Sequence, residues 1–69
     1  MIYKVNYVVI DSEHAGAIVN VDEPPLIGDT VVLGRLTCQI IEVVELMPPR
    51  GEFNFLHATC RPMEKTRSG

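Results

Sequence analysis

Apolar and polar residues alternate along much of this chain with a period of two, the pattern of half-buried β-strands. The clearest case runs from Ile2 to Ile10, where the odd-numbered positions are expected to face the core. β-Branched and aromatic residues favour strands, and Gly, Pro and polar clusters separate them. The sequence therefore predicts five strands, at residues 2–10, 15–21, 30–33, 36–47 and 53–61.

Glycine and proline mark the connections between these strands. Gly16 predicts a bulge or a close backbone approach near the start of the second strand. The diprolines Pro24-Pro25 and Pro48-Pro49 end the second and fourth strands, because proline cannot donate a ladder hydrogen bond. If the last hairpin is centred near Pro49, position 38 falls opposite position 60.

No segment has the length, caps and 3.6-residue periodicity of a convincing helix, although a single turn fits residues 12–17 or 64–67. Five strands with short connections favour one all-β domain over residues 1–63, a small five-stranded barrel or sandwich with little or no helix. Closure would also remove exposed sheet edges. The polar residues 64–69 are expected to form a disordered tail.

The segment from Ile27 to Val44 (IGDTVVLGRLTCQIIEVV) carries one resemblance. A Gly-Asp turn opens a strand, a tight Gly turn closes it, and a longer curved strand follows. This resembles a hairpin common in SH3-like small barrels and covers about a quarter of the chain. The resemblance implies a fold alone, because SH3-like barrels include peptide binders, nucleic-acid binders and assembly parts.

Charge and composition exclude several classes of function. A net charge of −3 argues against nucleic acid, whose binding depends on neutralising phosphates. No apolar run approaches the ~20 residues of a membrane helix, and no secretory signal is evident. With only two cysteines, the chain is expected to be a soluble cytoplasmic protein with reduced thiols.

The cysteines and histidines form one candidate metal site: His14, Cys38, His57 and Cys60. They match a zinc ligand inventory, but no C-x-x-C is present, and His57 and Cys60 should point to opposite faces of one strand. We therefore predict no metal and no cofactor. For the cysteines, two buried free thiols are favoured over a disulfide, because cross-strand Cβ atoms lie about 4.5–5.5 Å apart and disulfides need about 3.8 Å.

Catalytic features are sparse. A Cys–His nucleophile would need a cysteine beside a histidine with a third orienting group, and the spacing does not supply one. The chain has no Gly-rich phosphate loop and no cofactor fingerprint. Chains this short also rarely enclose a pocket of about 300–1,000 Å³. The sequence therefore predicts a protein that is not an enzyme.

The last two long strands have apolar residues on both faces. The predicted register puts one set on one face: Ile41, Val43, Phe55 and His57. It puts another set on the opposite face: Cys38, Ile40, Val44, Leu46, Leu56, Ala58 and Cys60. A single barrel has one interior, so either a loop or another chain must cover the second apolar surface. An exposed apolar patch of several hundred Å² commonly marks an interaction site.

The sequence thus predicts a protein–protein interaction or assembly module, self-associating or bound to another protein. Its contact residues would come from the second apolar face and the loop at 46–55. The alternative is a protein that binds an anionic metabolite or nucleotide at a subunit interface, using Arg50, Arg61, His57 and Tyr7. The candidate binding residues are Met47, Arg50, Phe53, Phe55, His57 and Arg61.

Overall fold

Five strands form one curled sheet in the computed structural model, which describes residues 1–13 and 16–63. The strands are β1 (Ile2–Val9), β2 (Ala17–Val21), β3 (Thr30–Leu33), β4 (Leu36–Glu45) and β5 (Phe53–Pro62). The described residues contain no helix, and hence none that could span a membrane. The predicted all-β class and the five strands are confirmed. The tail at 64–69, its possible helical turn and the start of the predicted second strand lie outside the described residues.

The strand order across the sheet is β2-β1-β5-β4-β3. Neighbours are antiparallel except β1 and β5, which are parallel. This follows from an odd number of strands running alternately up and down, because the first and last strands then point the same way. The sheet is a half-barrel that stays open between β2 and β3, the two strands joined by residues 22–29.

The core lies on the concave side of the half-barrel. Four of the five strands supply its buried side chains, which are all apolar: Val5, Tyr7, Val9, Leu33, Cys38, Ile40, Leu56, Ala58 and Cys60. The odd-numbered residues of β1 face this core, as the alternation predicted. β2 contributes only partly buried residues, among them Ala17 and Val21. The other side of the sheet is called the outer face below.

Gly16 is a point of close backbone approach, as predicted. Its φ is 83°, a conformation that L side chains rarely adopt. A Cβ at this position would clash with the carbonyl oxygen of Tyr7. Glycine at this position therefore lets the chain turn tightly against β1 before it enters β2.

Ile41 forms a β-bulge that the sequence did not predict. Ile40 pairs with Cys60, but the next pair is Glu42 with Thr59, so Ile41 is an extra residue in β4. The bulge reverses the predicted faces of the residues that follow it. Val43 pairs with Ala58 on the core side, and Val44 pairs with His57 on the outer face. The predicted placement of Val43 with His57, and of Val44 and Leu46 with the cysteines, was therefore wrong.

The last hairpin turns at Gly51-Glu52 rather than near Pro49. Arg50 and Phe53 exchange two backbone hydrogen bonds, of 2.9 and 3.0 Å, around these two residues. Gly51 has a φ of 62°, which suits the first central position of a type II′ turn. The diproline therefore lies before the turn and not within it.

This change moves the cysteines relative to each other. Cys38 lies opposite Pro62, and Cys60 lies opposite Ile40. The two cysteines share the core side, but they are not cross-strand partners, and both are buried free thiols. The expected opposition of Cys38 and Cys60 was wrong, whereas the expected free thiols are confirmed.

Candidate interaction surface

The register arranges the outer face in rows across the sheet. One row contains Ile18 of β2, Asn6 of β1, His57 of β5 and Val44 of β4. The next row contains Asn20, Lys4 and Phe55, and the backbone N–H of Leu46 donates a 2.9 Å hydrogen bond to the Phe55 carbonyl oxygen. The row on the other side of His57 contains Val8, Thr59 and Glu42. These rows combine apolar side chains with the polar residues Asn6, Asn20, His57 and Thr59 and with two charged residues.

Apolar side chains of this region are open to solvent. Ile18 is 67% exposed and Val44 is 43% exposed, values far above those of the core valines. We call the following set the outer patch: Val8, Ile18, Val44, Leu46, Phe53 and Phe55. All are exposed except Phe55, which is half-buried. No described loop covers these residues, so of the two alternatives, a loop or another chain, the described part of the chain does not supply the loop.

Two aromatic rings form one end of the patch. The rings of Phe53 and Phe55 stack with their centroids 6.3 Å apart and an interplanar angle of 23°. They are two positions apart on β5, so both lie on the same side of the strand. The tight Gly51-Glu52 turn fixes the start of β5 and thereby the position of Phe53.

Met47 and Arg50 are exposed residues of the loop that precedes this turn. Backbone hydrogen bonds hold Arg50 next to Phe53. Of the predicted binding residues, Met47, Arg50, Phe53 and Phe55 therefore occur at one end of the sheet. His57 lies in the middle of the outer face, two residues beyond Phe55.

Arg61 lies far from the loop. It is eight residues beyond Phe53 on β5, or about 26 Å along an extended strand. An open depression of about 420 Å³ is lined there by the described residues Gln39, Arg61, Pro62 and Met63. Tyr7, which the ligand-binding alternative invoked for stacking, is buried on the core side. A ligand on the outer face would therefore not reach the Tyr7 ring.

Two opposite charges flank the centre of the outer face. Lys4 is exposed beside Phe55, and Glu42 is exposed opposite Thr59. The Thr59 hydroxyl donates a 3.3 Å hydrogen bond to Oε1 of Glu42, which orients this carboxylate. His57 lies between the two charged residues, with Asn6 on one side and Val44 on the other.

The cysteines face away from this surface. Cys60 is buried in the core and His57 lies on the outer face, so the two side chains point apart as predicted. Burial raises the pKa of the Cys38 thiol, and burial together with the nearby Cys38 raises that of Cys60. Both changes disfavour the reactive thiolate. Across residues 1–13 and 16–63 no three His, Cys, Asp or Glu side chains could hold a metal ion together; His14 is outside that range.

Sequence reasoning missed Ile18, Val8, Lys4 and Glu42 as members of this surface. Val8 carried a signal, because an apolar residue stood on the side of β1 opposite the expected core. Ile18 carried a similar signal, since Ile18 and Val19 are adjacent and only one of them can face the core. The positions of Lys4 and Glu42 depend on strand order and on the bulge, which alternation alone does not reveal.

Compared with protein-family models, with curated proteins and with solved structures, the chain shows no significant match.

Proposed function

We propose that this protein is a non-enzymatic interaction module that self-associates through the outer patch. The observation that carries the proposal is a sheet with apolar residues on both sides and a self-contained core on only one. Apolar side chains such as Ile18 and Val44 remain exposed on the other side. Val44, Leu46, Phe53 and Phe55 lie at neighbouring positions on or next to β4 and β5, and an exposed apolar cluster of this kind commonly marks a protein interface.

The composition of the patch also supports protein binding. Aromatic residues and Met are enriched in interface cores, and Arg is enriched with them. The patch supplies the stacked pair Phe53 and Phe55, and Met47 and Arg50 stand beside it. Most of the patch lies on paired strands, so binding would order few side chains and little backbone.

A second copy is the partner that best fits a chain of this size. A 69-residue domain buries a smaller share of its surface on folding than a larger domain does, and such small domains commonly gain stability from a partner subunit. Self-association through one surface requires that the surface be self-complementary, and Lys4 and Glu42, which lie on the outer face beside the outer patch, provide opposite charges that can pair between copies. We further propose that the fold belongs to the class of SH3-like barrels, because the β3–β4 hairpin resembles theirs. We also propose that the protein is cytoplasmic, because its two cysteines are free thiols.

The test is the molar mass of the protein as a function of concentration, measured by light scattering or sedimentation. We expect a species heavier than 7.7 kDa that dissociates on dilution. Val44→Asp should yield monomers at concentrations where the parent protein associates. Val32→Asp is the matched control, because Val32 is an exposed valine on β3, outside the patch. The proposal would be contradicted if the parent protein stayed monomeric up to millimolar concentration. It would also be contradicted if both variants lost self-association equally.

The depression beside Arg61 supports a second candidate, binding of an anionic small molecule. One guanidinium and the Gln39 amide border an open volume of about 420 Å³, and a guanidinium can bind a phosphate or carboxylate in bidentate fashion. A thermal-shift series with inorganic phosphate and nucleotides tests it, since a ligand of the native state raises the melting temperature. Arg61→Gln should abolish the shift and Arg35→Gln, on the β3–β4 turn, should retain it. No shift at millimolar ligand would eliminate this candidate.

A further inference from the structure

We infer that two copies pack outer face to outer face around a two-fold axis that passes through His57, so that Lys4 of each copy meets Glu42 of the other. The inference rests on the proposed self-association through the outer patch. It adds the register of the contact, which the patch alone does not define.

The positions of the two charges provide the first step. Lys4 lies one strand away from β5, at the level of Phe55, and Glu42 lies one strand away on the other side, at the level of Thr59. His57 is midway between these levels. With strands about 4.8 Å apart and a rise of about 3.3 Å per residue, each charged residue is about 8 Å from His57, in opposite directions.

Lys4 and Glu42 are therefore about 16 Å apart within one molecule. This distance exceeds the Debye length of about 8 Å at physiological ionic strength, so their mutual attraction is largely screened. The two charges do not stabilise the monomer through each other. They can meet only if another copy brings its Glu42 to Lys4.

A two-fold axis in the plane of contact achieves this. Suppose that the axis passes through His57 and is perpendicular to the line from Lys4 to Glu42. The two-fold rotation then places Lys4 of each copy over Glu42 of the other copy. One interface then contains two equivalent ion pairs, as an isologous contact requires. The positions of Lys4 and Glu42 alone determine the orientation of the axis.

The apolar residues provide an independent check on the same axis. The rotation that pairs the charges also puts Phe55 over Val44 of the second copy and Ile18 close to Val8 of the second copy. None of these residues was used to set the axis. The strands of the two copies then cross at about 70°, close to the orthogonal class of sheet packing.

The two kinds of contact have different effects. Burial of the outer patch supplies most of the affinity, because apolar area removed from water is the main favourable term in association. Ion pairs between exposed side chains contribute little affinity but strongly select orientation, since like charges brought together cost several kcal/mol. Lys4 and Glu42 thus specify which way the two patches meet.

The test is a charge exchange followed by sedimentation equilibrium. Lys4→Glu brings two carboxylates together at each contact, and Glu42→Lys brings two ammonium groups together. Each single variant should raise the dimer dissociation constant about tenfold or more. The double variant Lys4→Glu/Glu42→Lys should return to within about threefold of the parent value, because its pairs are merely reversed.

A mixture of the two single variants gives a sharper result. A Lys4→Glu copy presents two carboxylates, and a Glu42→Lys copy presents two ammonium groups, so both contacts of the mixed dimer are attractive. We expect the mixture to associate where each variant alone does not. Glu45→Lys is the control, because Glu45 is an exposed glutamate of the same strand that pairs with Leu56 on the core side. It should leave the dissociation constant unchanged.

The outcomes separate the two levels of the proposal. Suppose that the parent protein dimerises and Val44→Asp prevents dimerisation, but neither the double variant nor the mixture recovers it. The proposed register is then wrong, and the proposed interaction surface is retained. If the parent is monomeric, the proposed self-association falls as well. If association survives Val44→Asp and protects the amides of β2 from hydrogen exchange, copies pair along the β2 edge, and both the register and the surface are wrong.

Discussion

Val44 lies directly opposite His57 on the outer face of the sheet, although its neighbour Val43 packs against the core. The bulge at Ile41 determines which of the two adjacent valines packs against the core. With strict alternation from Ile40, Val43 would face outward and Val44 inward. The bulge therefore determines that Val44 and Leu46, rather than Val43, belong to the outer patch.

The two valines provide a direct test of this bulge. Val43→Asp should reduce the free energy of unfolding by about 2–4 kcal/mol, because it puts a carboxylate against apolar core residues. Val44→Asp should change it by less than about 1 kcal/mol, because that side chain is exposed. Urea unfolding at low protein concentration, where the chain is monomeric, measures both. The reverse order of effects would show that β4 has no bulge at Ile41.

Gly16 should tolerate alanine worse than Gly28 does. Both have positive φ, 83° and 98°, so alanine is strained at either position. At Gly16 the added Cβ also clashes with the Tyr7 carbonyl, whereas at Gly28 nothing lies within 4 Å of it. We expect Gly16→Ala to cost about 1–3 kcal/mol more than Gly28→Ala. Equal unfolding free energies for the two variants would contradict the close approach.

Stability should fall as the pH rises into the alkaline range. Burial raises the pKa of Cys38, Cys60 and Tyr7 in the folded protein; Cys60 and Asp29 add to the shift of Tyr7. In the unfolded chain these groups ionise near their ordinary values, about 8.5 for a thiol and about 10 for tyrosine. The unfolded state then binds fewer protons than the native state, so the free energy of unfolding decreases above pH ~8.5. Below that pH these groups contribute no slope.

Urea titrations at several pH values between neutrality and pH ~10 check this slope. The double variant Cys38→Ala/Cys60→Ala is the control. It is less stable at neutral pH because it leaves cavities, but it should lose less stability as the pH rises, with Tyr7 as its remaining titrating group. Parallel pH profiles for the parent and the double variant would refute a thiol contribution.

Asn54 should be replaceable by an apolar residue with a gain in stability. Its Oδ1 atom is buried and has no hydrogen-bond partner among the described residues. Asn54→Val removes this unsatisfied acceptor and should stabilise the protein by about 1 kcal/mol or more. Asn20→Val is the control for β-propensity alone, because Asn20 is an exposed strand residue. Thermal or urea unfolding of both variants compares them, and an equal gain would assign the effect to propensity.

Much of this fold was predictable from local sequence. The alternation from Ile2 to Ile10 and the glycine and proline breaks predicted five strands, and the structure has all five. The core side of β1 followed from the same alternation, because a period of two assigns every residue to one of two faces. These features depend on neighbouring residues, so a short stretch of sequence contains enough information to predict them.

The bulge and the last turn were not predictable in the same way. Ile40-Ile41 and Val43-Val44 are apolar doublets, so alternation alone does not decide which member of each pair faces the core. The diproline competed with Gly51-Glu52 as the centre of the turn, and only the partner strand decides between them. Because the outer patch depends on both features, its membership was only partly predictable. Phe53, Phe55 and His57 were identified from sequence, and Ile18, Lys4 and Glu42 were not.

The parallel pair of β1 and β5 has a consequence for how the chain folds. The β1–β2 hairpin and the β3–β4–β5 meander can each form from nearby residues, but neither contains the whole core. The parallel pairing of β1 with β5 connects them, and it pairs Ile2 with Phe53, fifty-one positions apart in the chain. Closing such a long loop costs entropy before any contact compensates for it, and contacts between distant residues slow folding. Folding should therefore be limited by the rate at which β1 and β5 come together.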